Sequence, residues 1–437
     1  MKNYGNGIST GLNQTALSKV NTELVCKDVS MTSSDSEILK SLAEEVAEIA
    51  SSPENEGARQ LWKKINKLQK TRPVIFCDPE NGWNEIITEA QMKCRGKLAR
   101  RWEMDMRKEI FWGREMGDDR PVEPYFDVPY TVSPDNWGVE AVYHKTEEKG
   151  SYVWDNPIKD YASDLKKIHF PEFKIDWETT NGCLDIAKRI FGGILEVRLK
   201  GIWWWSLGVT LPAATFRGLQ NILYDFIEHP EELKELLSII SKGHLNKLDY
   251  LEKNKLLSLN NDGTYVGSGG LGFTDELPGE GFKGGVRSID MWGFTESQET
   301  LNVSPEMYEK FVFPYEKPIM DRFGLTCYGC CEPLQLRWNI VKKHSNLRRV
   351  SCSPWVDIGK MAEYLEDKYI FSMKPNPAVL AMPEINLESI RNSLREAFNM
   401  TKGCIVEVIM KDNHTIGERP ENLVEWCRIA REEADRV

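Results

Sequence analysis

A chain of 437 residues holds one large α/β domain with an extension, or two ordinary domains. Its net charge of −11 argues against a nucleic-acid partner, because proteins that grip phosphate backbones carry basic stripes. No apolar run approaches the ~20 residues of a membrane span, and the first residues lack a signal-peptide core. No membrane partner is therefore expected, and the location reads as cytoplasmic.

Residues 1–32 are polar and read as a peripheral arm. Residues 34–52 open on a serine cap signal and keep an apolar stripe through Ile38, Leu39, Leu42, Val46 and Ile49, which predicts an amphipathic helix. A second helix, GARQLWKKINKLQK, follows, and TRPVIFCDP (71–79) reads as a short buried strand. Residues 83–113 are helical and charged. Residues 114–180 are rich in proline and aromatics, with one strand expected within 122–132. From 183 the pattern becomes regular. Strands are expected at 194–202, 256–262, 325–331, 347–353, 369–375 and 404–412, and helices between them include a run over 210–253 broken at His229–Pro230. Alternating strands and helices demand a parallel sheet with right-handed crossovers, and the count of eight predicts a closed (β/α)8 TIM-type barrel over 71–437, with 1–70 as arm and helical extension. An open doubly wound sheet is the alternative, but no Gly-rich phosphate fingerprint follows the first strand.

In such a barrel the working residues sit at the strand C-termini. Ten cysteines in a chain this long are not a disulfide framework. Cys26, Cys94, Cys183 and Cys427 read as small buried hydrophobes, whereas Cys327, Cys330 and Cys331 fall together in CYGCCE. Alternation along a strand puts Cys330 and Glu332 on one side and Cys331 on the other. A thiolate and a carboxylate so placed can share one zinc ion, with His414, or Asp412 before it, as a third ligand from the last strand. Simple core packing of the cysteines is the plain alternative. Trp203, Trp204 and Trp205 suggest an aromatic wall or core packing. GSGGLG (267–272) lacks the Lys-Ser/Thr of a phosphate cradle and reads as a lid or a close-approach loop.

Several segments resemble the uroporphyrinogen decarboxylase superfamily, and within it the cobalamin-dependent methyltransferases. They are RGLQNILYDFIEHPEELKELL, SPEMYEKFVFPYEKPIMDRFG, CYGCCE, LRRVSCSPWVDIGKMAEYL, KPNPAVL and VEVIMKDNHTIGERPENL. The similarity covers about residues 183–437. The first strand lacks the arginine-rich motif of the decarboxylases. Cys330 stands where the cysteine of the zinc-binding His-x-Cys strand would, and Glu332 with His414 or Asp412 would complete the set. The resemblance points to the methyltransferase I subunit of corrinoid-dependent O-demethylases. It implies methyl transfer from a small methoxylated aromatic substrate to the Co(I) corrinoid of a partner protein. The resemblance places the cobalamin on that partner protein and not permanently on this chain. On this reading Trp203, Trp205, Tyr265 and Trp292 would wall the ring, Asn261, Asp262 and Lys374 would anchor polar groups, and Tyr328, Asp412 or His414 would assist the leaving oxygen. A methylated amine donor, a thiol or folate acceptor, a decarboxylase and a non-catalytic binding protein are the rival readings.

Overall fold

The computed structural model describes residues 30–145 and 152–437. Cys26 and most of the 1–32 arm lie outside these described residues. Among the described residues ten strands occur, in chain order β1 (Val74–Cys77), β2 (Tyr125–Pro129), β3 (Val142–Lys145), β4 (Tyr152–Asp155), β5 (Glu196–Lys200), β6 (Trp292–Thr295), β7 (Leu325–Tyr328), β8 (Leu347–Cys352), β9 (Ile370–Met373) and β10 (Ile405–Met410). Six form one parallel sheet in the order β1-β10-β9-β8-β7-β6. β2 and β5 form a parallel pair, and β3 and β4 an antiparallel hairpin. The chain is thus α/β with parallel pairing throughout its main sheet. β10 shows why: IVEVIM is buried along its whole length, as a strand covered on both faces must be.

The two faces of the sheet have different partners. Ile75, Cys77, Phe371, Met373, Val406, Val408 and Met410 join the large core that includes Leu423 and Trp426 of the helix Pro420–Ala434. Val74, Phe76, Ile370, Ile405 and Ile409 pack instead with Trp62, Leu271 and Phe273. Trp62 belongs to the helix Pro53–Asn66, which starts on proline with a Ser52 cap. The helix Ser33–Ala50 buries Leu39, Leu42, Val46 and Ile49, the stripe read from the sequence, against a second core with Leu98, Trp102 and Met106.

The structure differs from the expected strands at two places, the first being the β3–β4 hairpin, which falls in 114–180 where only one strand was expected. At the second, residues 256–262 form no strand, and β6 arises at 292–295 instead, in a stretch given no element above. Side chains hold the 256–262 segment between β5 and β6 in place of a ladder. Ser258 Oγ accepts from Gly201 N at 3.0 Å, and the Asn260 amide both accepts from Trp292 N (2.8 Å) and donates to its carbonyl (2.9 Å). Among the described residues the backbone ladder does not close a ring: the six-stranded sheet and the β2–β5 pair remain separate.

The GSGGLG run is wholly buried against the sheet, which makes it a close-approach loop and not a lid. A Cβ on Gly269 would lie 2.2 Å from Arg349 Cδ, and one on Gly270 2.5 Å from the Trp62 ring. Gly267 has φ +60°, and a Cβ there would meet the Phe294 ring at 2.1 Å. Gly267→Ala therefore combines a left-handed backbone with overpacking, and a loss of about 2 kcal/mol is expected. An unchanged urea midpoint for that variant would show that the loop yields easily.

Candidate functional site

Five strand ends bring ionisable side chains together at the C-terminal edge of the main sheet. β7 stops at Tyr328, and Gly329 turns the chain with φ +100°. A Cβ at Gly329 would meet Leu334 Cδ1 and the Ser351 carbonyl oxygen, both at 2.6 Å, so only glycine fits there. The turn breaks the alternation expected across Cys330, Cys331 and Glu332. Cys331 does not face away: its sulfur lies 3.7 Å from that of Cys330.

Cys330 is buried beneath Ser268, whose hydroxyl donates to its sulfur at 3.2 Å. Lys374, from the end of β9, donates to Ser268 Oγ at 2.6 Å and to the Cys330 carbonyl at 3.1 Å. The Cys331 thiol, first, and then the Lys374 and Lys411 charges bring the Cys330 thiol down to about 6 against the effect of burial. Donating to Cys330, first, and burial push the Cys331 thiol up. Glu332 is buried with each carboxylate oxygen on a backbone N–H, from Ser297 and Cys330, at 2.9 Å.

β10 ends at Met410, and Asp412 has φ +64°, so Asp412 and His414 do not continue one strand face. His414 is exposed. Among the described residues no three His, Cys, Asp or Glu side chains gather as an ion's ligands. Cys330, Glu332 and His414, as folded, do not fit a zinc site. One sulfur is hydrogen-bonded to Ser268, one carboxylate is held by backbone amides, and the imidazole lies in solvent.

The residues that do converge on this edge include several that sequence reasoning passed over. Glu80 follows β1, and Lys411 precedes Asp412 after β10. Lys411 Nζ lies 3.7 Å from Glu80 Oε1 and 3.3 Å from Asp412 Oδ1. Both Glu80 oxygens, Lys411 Nζ and the Tyr265 hydroxyl are buried without a hydrogen-bond partner. Burial, set against the Lys411 charge, pushes the Glu80 carboxyl up to about 8. Burial also opposes the charge on Lys411, but Tyr265, Asp412 and Glu80 around it prevail, and its pKa stands above the ordinary lysine value. Beyond β6, burial and the neighbouring Glu299 and Glu332 carboxylates push Glu296 up, and Ser206 Oγ donates to it at 3.1 Å. The strand-end rule would have found Glu296 had β6 been placed correctly.

The Glu80 shift has a sign that can be measured. Unfolded, Glu80 loses its proton near the ordinary glutamate value; folded, it keeps it to about 8. Between those limits the folded state binds the extra proton, so this group's contribution to stability falls as pH rises through the window. Glu80→Gln removes that loss. Its urea midpoint relative to wild type should climb from about pH 5 to about pH 8. A parallel pair of pH profiles would contradict the raised value.

The remaining candidates are tied into the scaffold. Tyr328 OH is buried with Tyr308 OH at 2.8 Å, Ser297 Oγ at 2.9 Å and Glu316 Oε2 at 3.1 Å. Asn261 donates to the Leu277 carbonyl at 2.6 Å, and Asp262 pairs with Lys200 at 2.8 Å and Arg198 at 3.1 Å. Trp203, Trp205, Tyr265 and Trp292 do line one cleft, but its volume is about 60 Å³. That is room for a few waters and not for an aromatic ring. The three indoles are stitched to the carbonyls of Leu256, Gly267 and Gly272 at 2.9, 3.2 and 2.9 Å.

No protein-family model matches the chain, and no curated protein does. Solved structures that match the chain include a methyltransferase from Methanosarcina mazei, at 10% sequence identity and TM-score 0.49, over 86% of this chain and 98% of that one. Identity and overlap at this level say nothing of the reaction.

Proposed function

We propose that this chain is a methyltransferase that takes the methyl group of a small methoxylated aromatic compound and passes it to the Co(I) corrinoid of a separate partner protein. The sequence resemblance suggests the reaction. One observation supports placing it at the strand ends: Glu80, Lys411 and Tyr265 form a buried polar group whose functional atoms have no hydrogen-bond partner. A polar atom buried without a hydrogen bond costs about 1–3 kcal/mol, which a ligand's polar group would recover. For Lys411 the Asp412 and Glu80 carboxylates, at 3.3 and 3.7 Å, already offset part of that cost. On the same reading, the eight parallel strands form one barrel, joined through side chains where the ladder is missing.

An aryl methyl ether resists cleavage because its oxygen leaves as phenolate, so the chain must supply a proton or positive charge there. Glu80, protonated at neutral pH, gives its proton to the ether oxygen as the carbon–oxygen bond breaks. Lys411 holds positive charge beside the departing oxygen, and the Tyr265 hydroxyl orients it. The corrinoid of the partner supplies the nucleophile, so no side chain of this protein has to attack the methyl carbon. Because Cys330, Glu332 and His414 do not form an ion's ligand set as folded, no step is assigned to zinc.

A panel of methoxyarenes incubated with the protein and Co(I) cobalamin tests this reading. Phenol and methylated corrinoid should appear in equal amounts. Phenol released without methylation of the corrinoid, or no phenol from any member of the panel, would overturn it.

A further inference from the structure

We infer that Cys330 and Cys331 are a modification site for small hydroperoxides, closing to a disulfide between adjacent residues. The chemistry needs only the two sulfurs and their neighbours, so it stands whether or not the site transfers methyl groups. The sulfurs lie 3.7 Å apart, the Ser268 hydroxyl donates to Cys330 Sγ, and Lys374 donates to both Ser268 Oγ and the Cys330 carbonyl. A hydrogen-bond donor and a buried cation favour the thiolate, the form that attacks an oxygen–oxygen bond. Cys331 is partly exposed, which gives a small peroxide an approach.

The Cys330 thiolate takes one peroxide oxygen as the oxygen–oxygen bond breaks. The other oxygen leaves, with a proton, as water or alcohol, and Cys330 becomes a sulfenic acid. The Cys331 sulfur then attacks the Cys330 sulfur, the sulfur–oxygen bond breaks, and the hydroxyl leaves as water with the Cys331 proton. The two sulfurs together give up two electrons and the peroxide takes them. Neighbouring Cα atoms stand about 3.8 Å apart across a trans peptide, closer than disulfides prefer, so the bond is strained and thiols reopen it easily. Cys404 offers a comparison: it is also partly exposed, but burial, together with Asp367 and Glu366, pushes its thiol up.

The test doses the fully reduced, full-length protein with one equivalent of hydrogen peroxide, alkylates the remaining thiols and maps them by peptide mass spectrometry. Cys330 and Cys331 should escape alkylation together, their peptide should lose two hydrogens, and Cys404 should stay alkylated. Cys327→Ala should leave this result unchanged. Cys331→Ala, or Cys331→Ser if the alanine variant fails to fold, should stop at a Cys330 sulfenic acid trapped by a dione reagent. A Cys327–Cys330 disulfide, oxidation of Cys404 at the same dose, or full alkylation of every thiol would overturn the inference.

Discussion

Glu80→Gln should slow methyl transfer from methoxyarenes by about a hundredfold to ten-thousandfold, the range that a well-placed general acid contributes. Glutamine keeps the size and polarity of the side chain, so the burial of Glu80 (3% exposed) is preserved. What it lacks is the proton. The pH profile separates loss of an acid from loss of shape. With wild type the rate should fall as pH rises past about 8, where the carboxyl ionises. In the variant that limb should disappear, leaving a low and flat rate. A variant as slow as expected but with the wild-type pH limb would assign the acid to another group and Glu80 to positioning. Lys411 shares the site at 3.7 Å, so the two substitutions combined should cost less than the sum of their separate effects.

The largest effect on stability is expected at Arg349→Met. Arg349 on β8 and Glu407 on β10 are both fully buried, with Arg349 Nε 2.9 Å from Glu407 Oε1. Arg349 Nη2 also donates to Asn66 Oδ1 at 2.7 Å and to the Leu271 carbonyl at 3.1 Å, which ties sheet, glycine loop and the helix Pro53–Asn66 together. Removing the arginine strands the Glu407 carboxylate in a dry interior, a loss of about 3–5 kcal/mol. Replacing both residues with apolar ones of similar volume removes the stranded charge as well. Arg349→Met with Glu407→Leu should therefore recover most of the loss in urea unfolding. A double variant as unstable as the single one would mean that the contacts to Asn66 and Leu271, and not the stranded charge, set the cost.

The elements most legible in the sequence are those whose burial leaves a pattern. CIVEVIM reads as a strand because it is apolar along both faces, and the helix Pro230–Lys253 is announced by its proline and a long apolar period. The β6 strand was missed because WGFT is short and follows a glycine-rich stretch, while LLSLNND offered a better apolar run nearby. Only the fold shows that the Ser258 and Asn260 side chains replace the ladder there. The site was half legible for a similar reason. The strand-end rule found Cys330, Lys374 and Asp412, but side-chain alternation failed where Gly329 and Asp412 take positive φ and the strands stop. Glu80 and Lys411 look like surface residues in a sequence, because the burial that sets their protonation comes from segments distant in the chain.

The most direct test of the central claim lets two donors compete in one tube. Wild-type protein and Co(I) cobalamin receive a methoxyarene with a deuterated methoxy group together with an unlabelled quaternary methylammonium compound. The mass of the methyl group on the corrinoid is then read. If the chain cleaves aryl methyl ethers, that methyl group is deuterated and the matching phenol is released. An unlabelled methyl on the corrinoid, with the methoxyarene intact, would contradict the account.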